Sequence, residues 1–242
     1  MVGIKNLIYG GVAFAAATVM IHSGAQAFVA YSWDEGGPGN GTNSPYVSFH
    51  NANGPVLADD FVPARTGSVS QVTWWGSQAD SAQWEITFHN DTVDSGGNHE
   101  PAIGPVDGGI SQHFVNATGS DADGDGVFKY TAAWTPLDVN LIAGAQYWFS
   151  VANGADGWLW ANAGGAGPAV GSQNYFAQES VNGAPSVIIG PHDGPWNQVT
   201  CPTCGQPTPT NLAFGVEAVP VPASIWALAG AFGLMGILRR RG

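Results

Sequence analysis

Six consecutive residues carry the plainest hint of chemistry in this 242-residue chain. Asp121-Ala122-Asp123-Gly124-Asp125-Gly126 sets carboxylates at alternate positions with a glycine at the sixth, the opening half of a loop that wraps a hard divalent cation in oxygen. The twelfth position of such a loop calls for a bidentate glutamate and is Ala132 instead, and Val127-Phe128-Lys129-Tyr130 reads as a strand where a helix should follow. Two readings stay open: a calcium site on Asp121, Asp123 and Asp125 completed by ligands from elsewhere, or a solvated acidic hairpin turn. Cys201-Pro202-Thr203-Cys204 has the spacing of a redox dithiol, but its Pro/Gly/Thr surroundings offer no strand-to-helix context to lower a thiol pKa. A local disulfide between Cys201 and Cys204, pinning one turn, is the expectation. His50, His89, His99, His113 and His192 form no HExxH pattern and read as turn or surface histidines.

Hydrolytic chemistry has less behind it. No G-x-S-x-G elbow occurs, and with 18 acidic residues in the chain no pair of carboxylates is marked out by spacing as a glycosidase acid and base. No catalytic residue is assigned, and a non-enzymatic protein is expected. The tryptophans offer a binding alternative. Trp74 and Trp75 are adjacent and must point to opposite faces of a strand, whereas Trp158 and Trp160 share one. Trp74, Trp158 and Trp160 therefore read either as a platform on which sugars stack, in a carbohydrate-binding module that calcium could assist, or as core side chains. No cofactor is expected other than that calcium ion.

These residues need a scaffold, and composition limits its kind. Only 10% of residues are charged, while 35 are glycine and 16 proline, which disfavours amphipathic helices and favours short strands joined by turns. Between residues 28 and 217 the cations are Arg65 and Lys129, set against all 18 acids, a net of 2 − 18 = −16. Such a surface makes nucleic acid and anionic lipid poor partners and leaves two readings, a charge that keeps an exported protein soluble or one that meets neutral sugars and divalent cations.

Alternation then fixes the fold class. Trp84, Ile86 and Phe88 face one way against Glu85, Thr87 and His89; Phe128 and Tyr130 flank Lys129; Tyr147, Phe149 and Val151 oppose Gln146 and Ser150; Leu212, Phe214 and Val216 precede Glu217. Repetition at intervals of about ten residues with glycine-rich turns predicts an all-β, antiparallel, two-sheet sandwich of about ten to twelve strands. The 27 aromatic residues (10 Trp, 6 Tyr, 11 Phe) supply a core needing neither disulfide nor metal.

The two ends read as addresses. Lys5, an apolar stretch from Leu7 to Ile21 and Ala25-Gln26-Ala27 have the layout of a signal peptide over residues 1–27, cut after Ala27 by signal peptidase. At the other end, Val219-Pro220-Val221-Pro222-Ala223 leads into an apolar run to Leu238 and then Arg239-Arg240-Arg241. At about 1.5 Å per residue, a helix over 223–238 spans roughly 24 Å, close to a hydrocarbon core of about 30 Å once the arginines snorkel. The arginines belong on the cytoplasmic side, which places the body, residues 28–217, across the membrane.

The tail over 218–242 resembles the PEP-CTERM sorting signal, most closely its Val-Pro-Leu-Pro-Ala form, with Val221 standing where the named forms have Glu or Leu. The resemblance implies recognition by an exosortase-like processing enzyme, removal of the tail near the proline motif, and export in bacteria that make extracellular polysaccharide. Ala58-Asp59-Asp60-Phe61, Val72-Thr73-Trp74-Trp75-Gly76, Leu141-Ile142-Ala143-Gly144-Ala145-Gln146-Tyr147-Trp148-Phe149-Ser150 and Trp158-Leu159-Trp160 are similar, in that order, to the bodies of many PEP-CTERM proteins, which implies a jelly-roll-like sandwich. The expectation is an exported protein at the cell surface or in the extracellular matrix, held transiently in the inner membrane by its tail, with extracellular polysaccharide as its partner. A polysaccharide hydrolase is the least supported alternative.

Overall fold

The computed structural model describes residues 26–32, 46–47, 56–102, 111–122, 124, 126–134, 138–153, 158–161, 163, 168, 170–172, 174–175, 177–180, 196–198 and 211–220. They hold no helix. Their strands are β1 (Phe28–Ser32), β2 (Tyr46–Val47), β3 (Val56–Phe61), β4 (Gly67–Gly76), β5 (Gln83–Val93), β6 (His99–Pro101), β7 (Ser111–Asn116), β8 (Phe128–Ala133), β9 (Asn140–Leu141), β10 (Tyr147–Asn153), β11 (Leu159–Trp160), β12 (Gln178–Ser180), β13 (Trp196–Gln198) and β14 (Phe214–Val219).

Two curled antiparallel sheets account for all of them. The first is built on β4, which pairs with β14, β8 and β9 and meets β11 at Gly76; β1 lies beyond β14, and β2 beyond β11. The second runs β13-β12-β3-β10-β5, with β6 and β7 both pairing with β5. Alternation holds where it was predicted: Trp84, Ile86 and Phe88 of β5 enter the core, and so do Tyr147, Phe149 and Val151 of β10. It breaks once in β4, where Val69 and Val72, three apart, both face inward. The register explains this, because Glu217 pairs with Gln71 and Ala218 with Val69, leaving Ser70 as an extra residue. The bulge turns the later side chains over, and the Ser70 carbonyl accepts the Trp134 N–H at 2.8 Å.

The inner faces meet in one aromatic core. Trp84 sits 5.1 Å from Trp74 and 4.9 Å from Trp158, both edge to face, while Phe149 stacks on Phe214 at 4.9 Å. Full burial of each such ring is worth about 2–3 kcal/mol. Three of the indole nitrogens are satisfied by carbonyls at the sheet margins, Trp84 donating to Ala117, Trp158 to Ser77 and Trp160 to Ala213, all at 2.9–3.0 Å, whereas the buried Trp74 Nε1 meets no acceptor. Packing is tight enough to exclude even a methyl group at Gly76, where an added Cβ would lie 2.3 Å from the Leu159 carbonyl oxygen and 2.5 Å from the Trp158 ring.

One strand breaks the apolar rule. In β3, Leu57 and Phe61 join the core, and Asp59, which shares their parity, is 0% exposed. Its Oδ2 accepts the Leu212 N–H at 2.5 Å, just before β14 of the opposite sheet, and its Oδ1 accepts the Asp60 N–H at 3.0 Å. Asp60, also 0% exposed, turns to the other face and accepts the N–H groups of Asn174 (2.9 Å) and Tyr175 (3.1 Å) together with the Gln146 side-chain amide. Burial, and then the charges of Asp59 and Asp60, push the Tyr31 hydroxyl well above its ordinary 10.0. In the unfolded chain this phenol ionises first, so the folded state holds its proton to higher pH. The stability it contributes is complete below pH 10 and is lost as pH rises beyond it. Urea unfolding midpoints are therefore expected to fall steeply above pH 10, and Tyr31→Phe should flatten that fall; an unchanged slope in the variant would assign the alkaline loss elsewhere.

Candidate functional site

The outer face of the second sheet carries a polar cluster. In register across three strands, Trp148 of β10 lies between Asp60 of β3 and His89 of β5. Trp148 is 0% exposed, and its indole N–H reaches Asp91 Oδ1 at 2.9 Å. The second oxygen of Asp91 meets His99 Nδ1 at 2.6 Å. The His99 ring lies flat on Tyr175 (4.4 Å, 18°), and Tyr175 lies over Trp148 (6.3 Å, 17°). Asp60 holds the Tyr175 backbone from the other side. The cluster thus pins residues 174–175 and the β5–β6 hairpin to the sheet. The hairpin itself is closed by Asp94, whose Oδ1 accepts the N–H groups of Gly96 and Asn98, both at 2.8 Å, while Gly97 takes a φ of 85°.

A second cluster has the residue types of a hydrolytic triad. Ser111 Oγ donates to Asp138 Oδ2 at 2.6 Å, His113 Nε2 approaches the same oxygen at 2.8 Å, and Trp134 Nε1 donates to Oδ1 at 3.0 Å. In a triad the imidazole stands between serine and carboxylate and takes the serine proton. Here serine and histidine both address the carboxylate, so Asp138 is the hub and the set has no relay. Burial raises the Asp138 pKa, but hydrogen bonds from Ser111, His113 and Trp134 and the His113 charge outweigh it, and the net shift is below 3.8. The cluster ties β7 to the segment between β8 and β9.

Against these, the residues singled out by spacing fall as follows. Trp74, Trp158 and Trp160 are 0, 1 and 0% exposed inside the core, so the sugar-stacking reading has no open ring face on them and the core reading stands. Trp75 does point to the opposite face from Trp74, where Val127, Ala161 and Ala213 cover it and the Lys129 ammonium sits 5.3 Å from its ring. Asp121 accepts the N–H groups of Gly124 (2.8 Å) and Gly126 (3.1 Å), with φ of 77° and 84° at the two glycines. Ser120 and Lys129 close the loop with two backbone hydrogen bonds, the hairpin-turn geometry. Asp123 and Asp125 lie outside the described residues, as do Cys201, Cys204, Ala25, Val221, Pro222, Ala223, Arg239, Arg240 and Arg241.

Ala27 and Pro220 are exposed, whereas Val219 belongs to β14 and pairs with Ser68. The first residue of the proline motif is therefore part of the sheet, and the strand outruns the body boundary at 217. His89 corrects the surface reading of the histidines: it is 3% exposed, with Nδ1 3.1 Å from the Ala102 carbonyl. Among the described residues no set of three His, Cys, Asp or Glu side chains is placed to hold a metal ion, and no helix is long and apolar enough to cross a membrane. The candidate span over 223–238 lies outside them.

The carboxylate hubs Asp91 and Asp138 escape sequence reading because their partners are remote in the chain or are common residue types. The one available signal is Asp91 in β5, an acid continuing a half-buried strand. No family model, no curated protein and no solved structure matches the chain. Asp138→Asn is expected to lower stability by about 1 kcal/mol at neutral pH, since the group is partly exposed and solvent screens it. Because the folded pKa is depressed, this difference should persist above pH 3.8 and vanish as acidification carries the wild type through the folded pKa. Parallel pH–stability curves, offset equally at all pH, would contradict that assignment.

Proposed function

We propose that this chain is an exported, non-enzymatic protein whose body is a jelly-roll-like β-sandwich, sorted through a PEP-CTERM-like tail. Signal peptidase acts at its amino end, an exosortase-like enzyme acts on the tail, the C-terminal helix holds it transiently in the membrane, and the body works at the cell surface or in the extracellular matrix. Extracellular polysaccharide of neutral character is the partner that suits a body so short of cations.

One observation carries the reading. Among the described residues the first strand, β1, starts at Phe28, directly after the expected cut at Ala27, and the last, β14, ends at Val219, two residues into the expected tail, with Pro220 exposed beyond it. Phe28 and Ala218 are cross-strand partners. A body with both exits at one margin is suited to facing a membrane at that margin and being released from it. No second reading is favoured, since the tryptophans that would have made a sugar platform are core. Intact-mass analysis of the protein recovered from its native cells and medium is expected to show Phe28 as the first residue and a carboxyl end lacking Arg239 to Gly242. A continuous chain from Met1 to Gly242 would refute the proposal.

A further inference from the structure

The pairing of Phe28 with Ala218 brings the two ends of the body together, and the packing around it decides where the tail can be cut. Strand β14 is flanked on one side by β4, through Val219↔Ser68 and Ala218↔Val69, and on the other by β1, through Phe28↔Ala218, Val29↔Glu217, Tyr31↔Val216 and Ser32↔Gly215. Endopeptidases take their substrates as extended strands whose edges are free to pair, and through Ala218 both edges of β14 are occupied.

Strand β1 is itself well held. Ala64 donates to the Ala30 carbonyl at 2.9 Å, Ser32 and Val170 exchange hydrogen bonds at 3.1 and 3.3 Å, and Tyr31 packs 4.7 Å from Phe214. At the margin, the Arg65 guanidinium sits 5.6 Å from the Phe28 ring centroid. Gly67 closes the gap: a Cβ there would stand 2.6 Å from the Val219 carbonyl oxygen and 2.9 Å from the Phe28 ring. Only a glycine lets the three chains meet.

From this we infer that β1 is a latch on the processing site. It confines endoproteolytic release of the tail to bonds after Pro220, so that the new carboxyl end falls at Pro220 or beyond, and it makes correct tail release depend on the amino-terminal strand having entered the sheet. The inference rests on the proposed processing of the tail, and adds to it a limit and an order: β1 docks first, and the bonds that follow the exposed Pro220 are what an endopeptidase then finds.

The test uses the full chain in detergent micelles, digested briefly with a protease of broad specificity, with intact-mass reading of the fragments. In the wild type, body fragments should end at Pro220 or later and never within 214–219. Phe28→Ala and Gly67→Ala should loosen the margin and bring cuts within 214–219 about tenfold faster. Tryptophan fluorescence checks that each variant keeps its core, and Arg65→Ala, which removes the side chain whose guanidinium lies over Phe28, serves as the milder variant if either fails to fold. Wild-type cuts inside β14, or a folded variant with the wild-type boundary and rate, would overturn the latch. The processing reading fails by a different result, a tail retained to Gly242 on protein from its native cells, which leaves the protease boundary untouched.

Discussion

A carboxylate sealed between two sheets is costly unless its oxygens are met, and the placement of Asp59 is the constraint on which the rest of this structure depends. Its neighbours by parity, Leu57 and Phe61, are ordinary core residues. What Asp59 adds is a fixed connection: its oxygen takes the Leu212 N–H, and so sets where the chain enters β14. Strand β14 in turn lies between β4 and β1 and delivers the chain to Pro220. The entry set by one side chain therefore determines the register of the first sheet's centre and the place where the tail leaves.

The same device recurs outward from the core. Asp60 holds residues 174 and 175, Asp91 joins Trp148 to His99, Asp94 closes a hairpin, and Asp138 gathers Ser111, His113 and Trp134. The body has two cations, and both sit over rings, Arg65 over Phe28 and Lys129 over Trp75. An acidic protein is thus held together largely by carboxylates accepting N–H and O–H groups, with aromatic packing supplying the apolar stabilisation. Carboxylates used in this way are poor candidates for acid–base work, which fits the proposed non-enzymatic role.

Much of the fold was legible because its strands alternate. The alternating stretches Trp84 to His89, Phe128 to Tyr130, Gln146 to Val151 and Leu212 to Glu217 fall on or directly beside β5, β8, β10 and β14. The β4 bulge was not legible, since one inserted residue looks like a lapse in pattern until the partner strand is known. Nor could parity tell core from surface: Trp158 and Trp160 share a face, but which face is a property of the sheet beneath them. The polar hubs were hidden for the same reason. Asp59 and Leu212 are remote in sequence, and His113 and Asp138 show no motif spacing. The address labels were read from composition and order alone, so the structure bears on them only where Phe28, Val219 and Pro220 mark the edges of the sheet.

Amide hydrogen exchange across Leu212–Val219, compared between the wild type and Asp59→Asn, probes the governing constraint most directly. An aspartate offers two acceptor oxygens to the N–H groups of Asp60 and Leu212, whereas asparagine must turn its NH₂ towards one of those donors. Protection in β14 should fall with the loss of about 2–4 kcal/mol, ahead of loss in β5 and β10. Unchanged protection of Leu212 to Val219 in a folded Asp59→Asn variant would contradict it.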